Sequence, residues 1–148
     1  MREILFRGKR KDNGEWIEGS LLVLDADSGY YFITEPFESA STLPVRDLIY
    51  NHTHLVDPET VGQFTGLTNK NGVKIFEGDI VIDKEGCLYK VFLQEKYYEF
   101  SFECIKSDNK FLVNAKWALW SLPRSKDLEV IGNIFDNPEL VEGGEADV

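Results

Sequence analysis

The chain is short of most features that would announce a chemistry. It has two cysteines, Cys87 and Cys104, with no Cys-x-x-Cys spacing and no histidine near them in the chain, so a zinc framework is not expected. Without an oxidising compartment to pair them, they read as small buried hydrophobes. No apolar run approaches the ~20 residues that a membrane-spanning helix requires. The start, Met1-Arg2-Glu3-Ile4-Leu5-Phe6-Arg7, is charged at once and lacks the apolar core of a signal peptide, so the expected compartment is the cytoplasm. There is no Gly-x-Ser-x-Gly, no Gly-x-x-x-x-Gly-Lys and no Gly-x-Gly-x-x-Gly, so nothing marks a serine hydrolase, a P-loop or a dinucleotide site. Cations are scarce too: 16 Lys and Arg face 26 Asp and Glu, a net charge of −10. Duplex DNA, itself densely anionic, is not the expected partner.

What is present is an ordinary globule, 43% hydrophobic and 13% aromatic, able to form a core without disulfides or metal. Period-two patterns and turn signals dominate. Ile4–Arg10, Glu15–Leu24 and Tyr30–Thr34 read as a three-strand meander, with Leu21–Leu24 apolar on both faces. Asn13-Gly14 and Asn71-Gly72 each predict a type I′ hairpin, in which both central residues take positive φ. Pro36, Pro44 and Pro58 break the pattern between two halves, although Val45–Tyr50 reads as a short strand. The second half offers strands at Val61–Leu67, Val73–Phe76, Ile80–Ile82, Cys87–Gln94, Tyr97–Ile105, Phe111–Val113 and Leu128–Phe135. A helical turn is expected at Trp117–Leu122, and Gly78 is expected at a kink that needs positive φ. The expected fold is all-β and mainly antiparallel: two small barrel-like or sandwich subdomains with at most one or two short helices. Residues 1–57 form the N-terminal subdomain and connector, 58–140 the C-terminal subdomain, and 141–148 an acidic flexible tail.

Four residue clusters invite a chemical reading. Glu77 and Asp79 flank Gly78 and share a face if the segment is a strand, as an acid–base or cation-binding pair would. No third ligand follows at useful spacing, and the plainer reading is a turn. His52-Thr53-His54 with Asp57 could hold a metal if the two imidazoles alternate along a strand, against the plainer reading of surface histidines in a connector. Arg7, Lys9, Arg10 and Lys11 form the one basic group, set against a solvated, charge-protected strand edge. Trp16, Trp117, Trp120 and the tyrosines could stack bases, set against core filling. None is assigned a catalytic, cofactor or metal role, and no cofactor is expected.

Two segments go beyond pattern. Thr65–Val81, reading TGLTNKNGVKIFEGDIV, and Val130–Leu140, reading VIGNIFDNPEL, resemble the signature and closing motifs of the YopX family, and Met1–Arg7 is similar to its usual start. The departures are Thr68 in place of an acid or lysine, Phe76 and Phe135 in place of tyrosine, and no aromatic after Arg7. The resemblance implies a predominantly β fold and a phage or prophage origin in the cytoplasm of a bacterial host cell, with no biochemical activity to carry over. The expected function is therefore a non-enzymatic accessory protein that binds a host or phage protein, as a possible homo-oligomer. The alternatives are an acidic nucleic-acid mimic that occupies a DNA-binding enzyme's basic groove, or a single-stranded nucleic-acid binder.

Overall fold

The computed structural model describes residues 3–38, 42–118 and 127–146. The chain divides into two compact units, Met1–Phe64 and Thr65–Val148. The boundary falls later than the proline-flanked connector suggests, because Val56 belongs to the first core and Gly62 and Gln63 pair with the first strand.

The first unit is an antiparallel meander. β1 (Phe6–Lys9) pairs with β2 (Trp16–Asp25), β2 with β3 (Tyr30–Thr34), and β3 with β4 (Thr53–Val56); β5 (Gly62–Thr68) begins beside β1. Alternation puts Ile17, Ile33 and Val56 in the core, with Phe6, Leu21, Tyr31 and Val61 packed around them. The sheet coils until Arg10, just past β1, bridges to Val56 on β4. Lys11 N–H donates to Leu55 O at 3.0 Å and Asp57 N–H to Lys9 O at 2.8 Å. This isolated bridge is short of a barrel ladder, so the barrel-like expectation gives way to an open, strongly coiled sheet.

Two glycines permit the coil. A Cβ on Gly8 would meet Ile33 Cδ1 and Val56 Cβ, each at 3.2 Å, and one on Gly19 would run into the Thr34 carbonyl. Gly19 is needed for space alone.

Val45–His52 is not a strand but a helix, α1, after the break at Pro44. The Pro44 carbonyl accepts from Asp47 and Leu48 N–H and so opens the helix. Val45, Ile49 and Tyr50 supply strand propensity but stay exposed, so only Leu48 is buried and context overrides propensity.

In the second unit, β6 (Lys74–Phe76) lies beside the remainder of β5. A five-stranded antiparallel sheet then runs in the order β10 (Lys116–Ala118), β9 (Glu99–Lys106), β8 (Leu88–Gln94), β7 (Asp79–Ile82), β11 (Glu129–Asn133). One face buries Val81, Tyr89, Val91, Phe102 and Cys104, together with Ile75 and Leu128. The other buries Ile80, Leu88 and Ile105 beneath Leu140 and Val141 of the helix α2 (Pro138–Ala146). Each such side chain, fully buried, contributes roughly 1.5–3 kcal/mol.

Asn137-Pro138 ends a strand, as its turn chemistry requires, but it also starts a helix, because proline suits a first helical turn and Glu139 favours the positive end of the dipole. Val141, assigned to the tail on composition, packs against the sheet, and the backbone is helical as far as Ala146. Lys110–Leu112 is a 3-10 turn rather than a strand, since Asn109 accepts from Phe111 N–H at 3.1 Å. Trp117 and Ala118 lie on strand β10 rather than in a helical turn; residues 119–122 of that predicted turn, Trp120 included, fall outside the described residues.

The role given to Gly19 predicts an asymmetry between two Gly→Ala changes. At Gly14, φ is +73° with open space around it, so alanine costs about 1–2 kcal/mol of backbone strain. At Gly19 the overlap is with backbone, and alanine is expected to cost 3 kcal/mol or more, beyond the ~1–3 kcal/mol of ordinary overpacking. Urea denaturation of both variants checks the order; equal losses would remove the coil's dependence on Gly19.

Candidate functional site

The signature segments fold into corners. Asn69 Oδ1 accepts from Asn71 N–H at 2.9 Å and from Val73 N–H at 3.0 Å, while Gly72 N–H donates to Asn69 O and Asn69 N–H to Val73 O. Asp83 does the same between β7 and β8: its Oδ1 accepts from Glu85 and Cys87 N–H, both at 2.9 Å, Gly86 N–H donates to Asp83 O, and Asp83 N–H to Cys87 O. Thus Asn-Lys-Asn-Gly and Asp-Lys-Glu-Gly are one device written twice. Only the glycines, Gly72 and Gly86, take positive φ, +79° and +86°. Gly14 behaves likewise, without Asn13. The expected type I′ turns are therefore loops with a single left-handed glycine, the pattern of a type I turn followed by a bulge.

Glu77 and Asp79 sit at the next corner. Gly78 takes φ +90°, as expected, donates to Val91 O and accepts from Ile134 N–H. Asp79 is 1% exposed and its Oδ2 accepts from Phe76 N–H at 2.7 Å. That carboxylate closes a turn, away from any solvent a general base would need. At the closing motif, Asn133 Oδ1 accepts from Phe135 and Asp136 N–H, and Asn137 Oδ1 accepts from Asn133 N–H. A Cβ on Gly132 would strike Asn137 Oδ1, which explains the Gly-Asn-x-x-x-Asn spacing.

The histidines are not brought together on one strand. His52 ends α1, its Nδ1 2.6 Å from Leu48 O and its ring 5.2 Å from that of Phe37. His54 lies on β4 with Nε2 3.4 Å from Glu35 Oε2. Asp57 caps the 3-10 turn Pro58–Thr60 through Glu59 N–H. His54 also lines an open groove of about 370 Å³ with Lys11, Asp12, Thr53 and Leu55.

Among the described residues, the one group of three possible metal ligands is Asp83, Glu85 and Cys87. There both Asp83 oxygens already accept hydrogen bonds, Oδ2 from the Tyr89 hydroxyl at 2.9 Å. The basic group is also divided. Arg7 and Lys9 lie over the Trp16 ring, at 4.8 and 5.4 Å, whereas Arg10 is paired with Asp12 at 2.6 Å. Both cysteines are free and buried.

The surface that stands out is the outer end of β2. Its first residues, Trp16–Gly19, pair with β1, and Ser20–Asp25 pair with β3. Beyond Gly19, among the described residues, β2 has a strand neighbour on the β3 side alone. Leu22, Phe32 and Leu55 form a row across three strands on the face opposite the core. Val23, Tyr31 and Val56 form one more three-strand row, and past it β2 and β3 continue alone as a ribbon. Leu22, Val23, Leu24 and Tyr30, in and beyond these rows, are 48%, 40%, 66% and 53% exposed.

The tip is closed by its own turn. Asp25 Oδ1 accepts from Asp27 N–H at 3.1 Å, Ser28 Oγ donates to Asp25 O at 3.2 Å, and Gly29 takes φ +75°. The run Leu21–Leu24 reads as apolar on both faces; Leu21 packs against the core, and Leu22, Val23 and Leu24 are exposed. The signal that points to a surface is charge: between Lys11 and Arg46 stand seven Asp or Glu and no Lys or Arg.

Two predictions follow from the corners. Asp83→Ala removes three acceptor bonds and should cost about 2–4 kcal/mol, while Asp83→Asn should recover most of it because Asn69 performs the same turn with an amide. Equal losses in urea would show that the charge, not the turn, matters.

The second concerns alkaline pH. Burial, and then the hydrogen bond to Asp83, pushes the Tyr89 hydroxyl well above its usual range, and burial with Cys87 close by pushes the Cys104 thiol up. Both hold their protons more tightly folded than unfolded, where the ordinary values are 10.0 and 9.0. Their contribution is complete below those values and is lost as pH climbs past them. The urea midpoint should fall from about pH 9 upward, and less steeply in Tyr89→Phe/Cys104→Ala. A wild-type midpoint that is flat to pH 11 would contradict it.

The corners also bear on kinship. The family model described as YopX protein matches residues 5–142. No curated protein matches the chain. The match takes in the coiled meander of the first unit and the corner-locked sheet of the second, and on its extent the chain belongs to the YopX protein family.

Proposed function

We propose that this YopX-family chain is a non-enzymatic protein-binding module of a phage or prophage, and that the β2–β3 ribbon is its binding surface. The observation that carries the reading is the exposure of Leu22, Val23, Leu24 and Tyr30 at the end of a hairpin held by its own turn. Scattered apolar residues on a surface need no explanation, but adjacent ones on an ordered strand with an unpaired side favour association. The absence of an enzymatic role is supported by how the candidate groups are used. Asp79, Asp83 and Asp57 hold turns, and His52 and His54 sit on separate elements. Among the described residues no helix is long and apolar enough to cross a membrane.

The test is differential capture from nuclease-treated lysates of infected and uninfected bacteria, comparing wild type with Leu22→Ser/Leu24→Ser. Both residues are exposed, so the variant should keep its stability within about 0.5 kcal/mol. Losing both anchors should cost at least ~1.4 kcal/mol of affinity, a tenfold loss of the retained partner. If the variant retains the same partner at the same level, the ribbon is not the surface. If every partner disappears with nuclease, the protein-binding reading gives way to nucleic-acid binding.

A further inference from the structure

The ribbon's neighbours define its partner more narrowly. In sequence, Asp12, Glu15, Glu18, Asp25, Asp27, Glu35 and Glu38 lie between Lys11 and Arg46 with no cation among them. In space Asp12 is paired with Arg10 and Glu18 stands across from Arg7, so the charge at the ribbon's end is that of Asp25 and Asp27. Asp25 and Asp27 sit at the tip itself, both exposed, directly beyond Leu24. Apolar contact and negative charge are therefore presented together. A nucleic acid or an anionic lipid surface would bring its own negative charge to the tip. A second copy would bring the same acidic tip and no cation from this stretch, so it offers Asp25 and Asp27 no counter-charge. A purely apolar partner would strip water from the carboxylates and return nothing.

The backbone sets the partner's shape. Among the described residues, the β1 ladder stops at Phe6–Gly19, so Ser20–Val23 pair only with β3, and the register then shifts at Leu24 before Asp25 pairs with Tyr30. An exposed strand edge is the template for adding a strand, in which main-chain hydrogen bonds supply affinity and alternate side chains supply selection. Leu22 points to one face, and Val23 alternates to the other.

Resting on the reading of the ribbon as the binding surface, we propose that it receives an extended, basic-apolar segment of a partner protein. The segment adds as a strand along Ser20–Val23, with apolar side chains against Leu22 and, past the register shift, Leu24, and its Lys or Arg at Asp25 and Asp27.

The probes are three capped synthetic peptides of about twelve residues, long enough to cover one strand edge. One alternates Lys and Val, one alternates Glu and Val, and one is the Lys-Val peptide with alternate backbone nitrogens methylated. Binding is read on the full chain by amide chemical shifts at millimolar peptide. The Lys-Val peptide should shift the amides of Ser20–Asp25, the Glu-Val peptide should not, and methylation should weaken binding at least ~tenfold. Asp25→Asn/Asp27→Asn should weaken Lys-Val binding about three- to tenfold, whereas Glu139→Gln/Glu142→Gln, which removes equal charge from α2, should leave it unchanged.

Equal losses in the two charge variants would reduce the effect to net charge and overturn the proposal. So would unweakened binding of the methylated peptide, which needs no strand pairing, or no binding of the Lys-Val peptide at all. These failures are separable from failure of the binding surface itself. Capture that still depends on Leu22 and Leu24 while the Lys-Val peptide does nothing would keep the surface and discard the basic, extended partner.

Discussion

A side-chain oxygen accepting backbone N–H groups is the interaction on which the second unit is built. Asn69, Asp79, Asp83 and Asn133 each do this at a corner, and Asn69, Asp79 and Asn133 are buried while they do it. The reason is geometric. In a sheet with side chains alternating between faces, a slip of one residue would exchange the faces. Here both faces are covered, one by the cluster around Phe102 and Cys104 and the other by α2 over Ile80, Leu88 and Ile105. Register therefore has to be pinned where strands turn. A short polar side chain that satisfies two otherwise orphaned N–H groups does this at low entropic cost, since Asn and Asp have few rotatable bonds.

That arrangement explains what could be read from residues alone. Turn positions were legible because Gly and Asx have no good substitute at a left-handed or capped backbone site, as at Gly72, Gly78 and Gly86. The antiparallel all-β class and most strands of the second unit followed from alternation between those turns. Turn type was not legible: Asn-Gly marks where the chain reverses, but whether Asn71 or Asn13 joins its glycine at positive φ depends on loop length, which the flanking ladders decide. Likewise Val45–His52 has strand-like residues and a helical backbone, because Pro44 starts it and one buried Leu48 anchors it. The chemical clusters failed for a related reason. Proximity in the chain put His52 and His54 together, and a change of element between them took them apart.

The ribbon was invisible for a different reason. Period and composition report how apolar a strand is, not whether a second layer covers it. Leu21 and Val23 both alternate onto the core side, yet only Leu21 packs against the core. Val23 lies beyond its reach, in solvent with Leu22 and Leu24. The distinguishing signal was electrostatic. A covered strand has no need of a cation-free acidic stretch around it, whereas an uncovered one is otherwise a template for pairing with its own copies.

This gives the acids at the tip two effects with one cause. In the free protein Asp25 and Asp27 are solvated, and like charges oppose edge-to-edge pairing of identical ribbons. The same carboxylates make association costly for any partner that cannot compensate them, because burying an unpaired charge costs several kcal/mol. Protection from self-association and selection among partners are thus the same electrostatic term, favourable only when the approaching surface is cationic. The apolar side chains of Leu22 and Leu24 supply the short-range contact, and the acids decide what is allowed to make it.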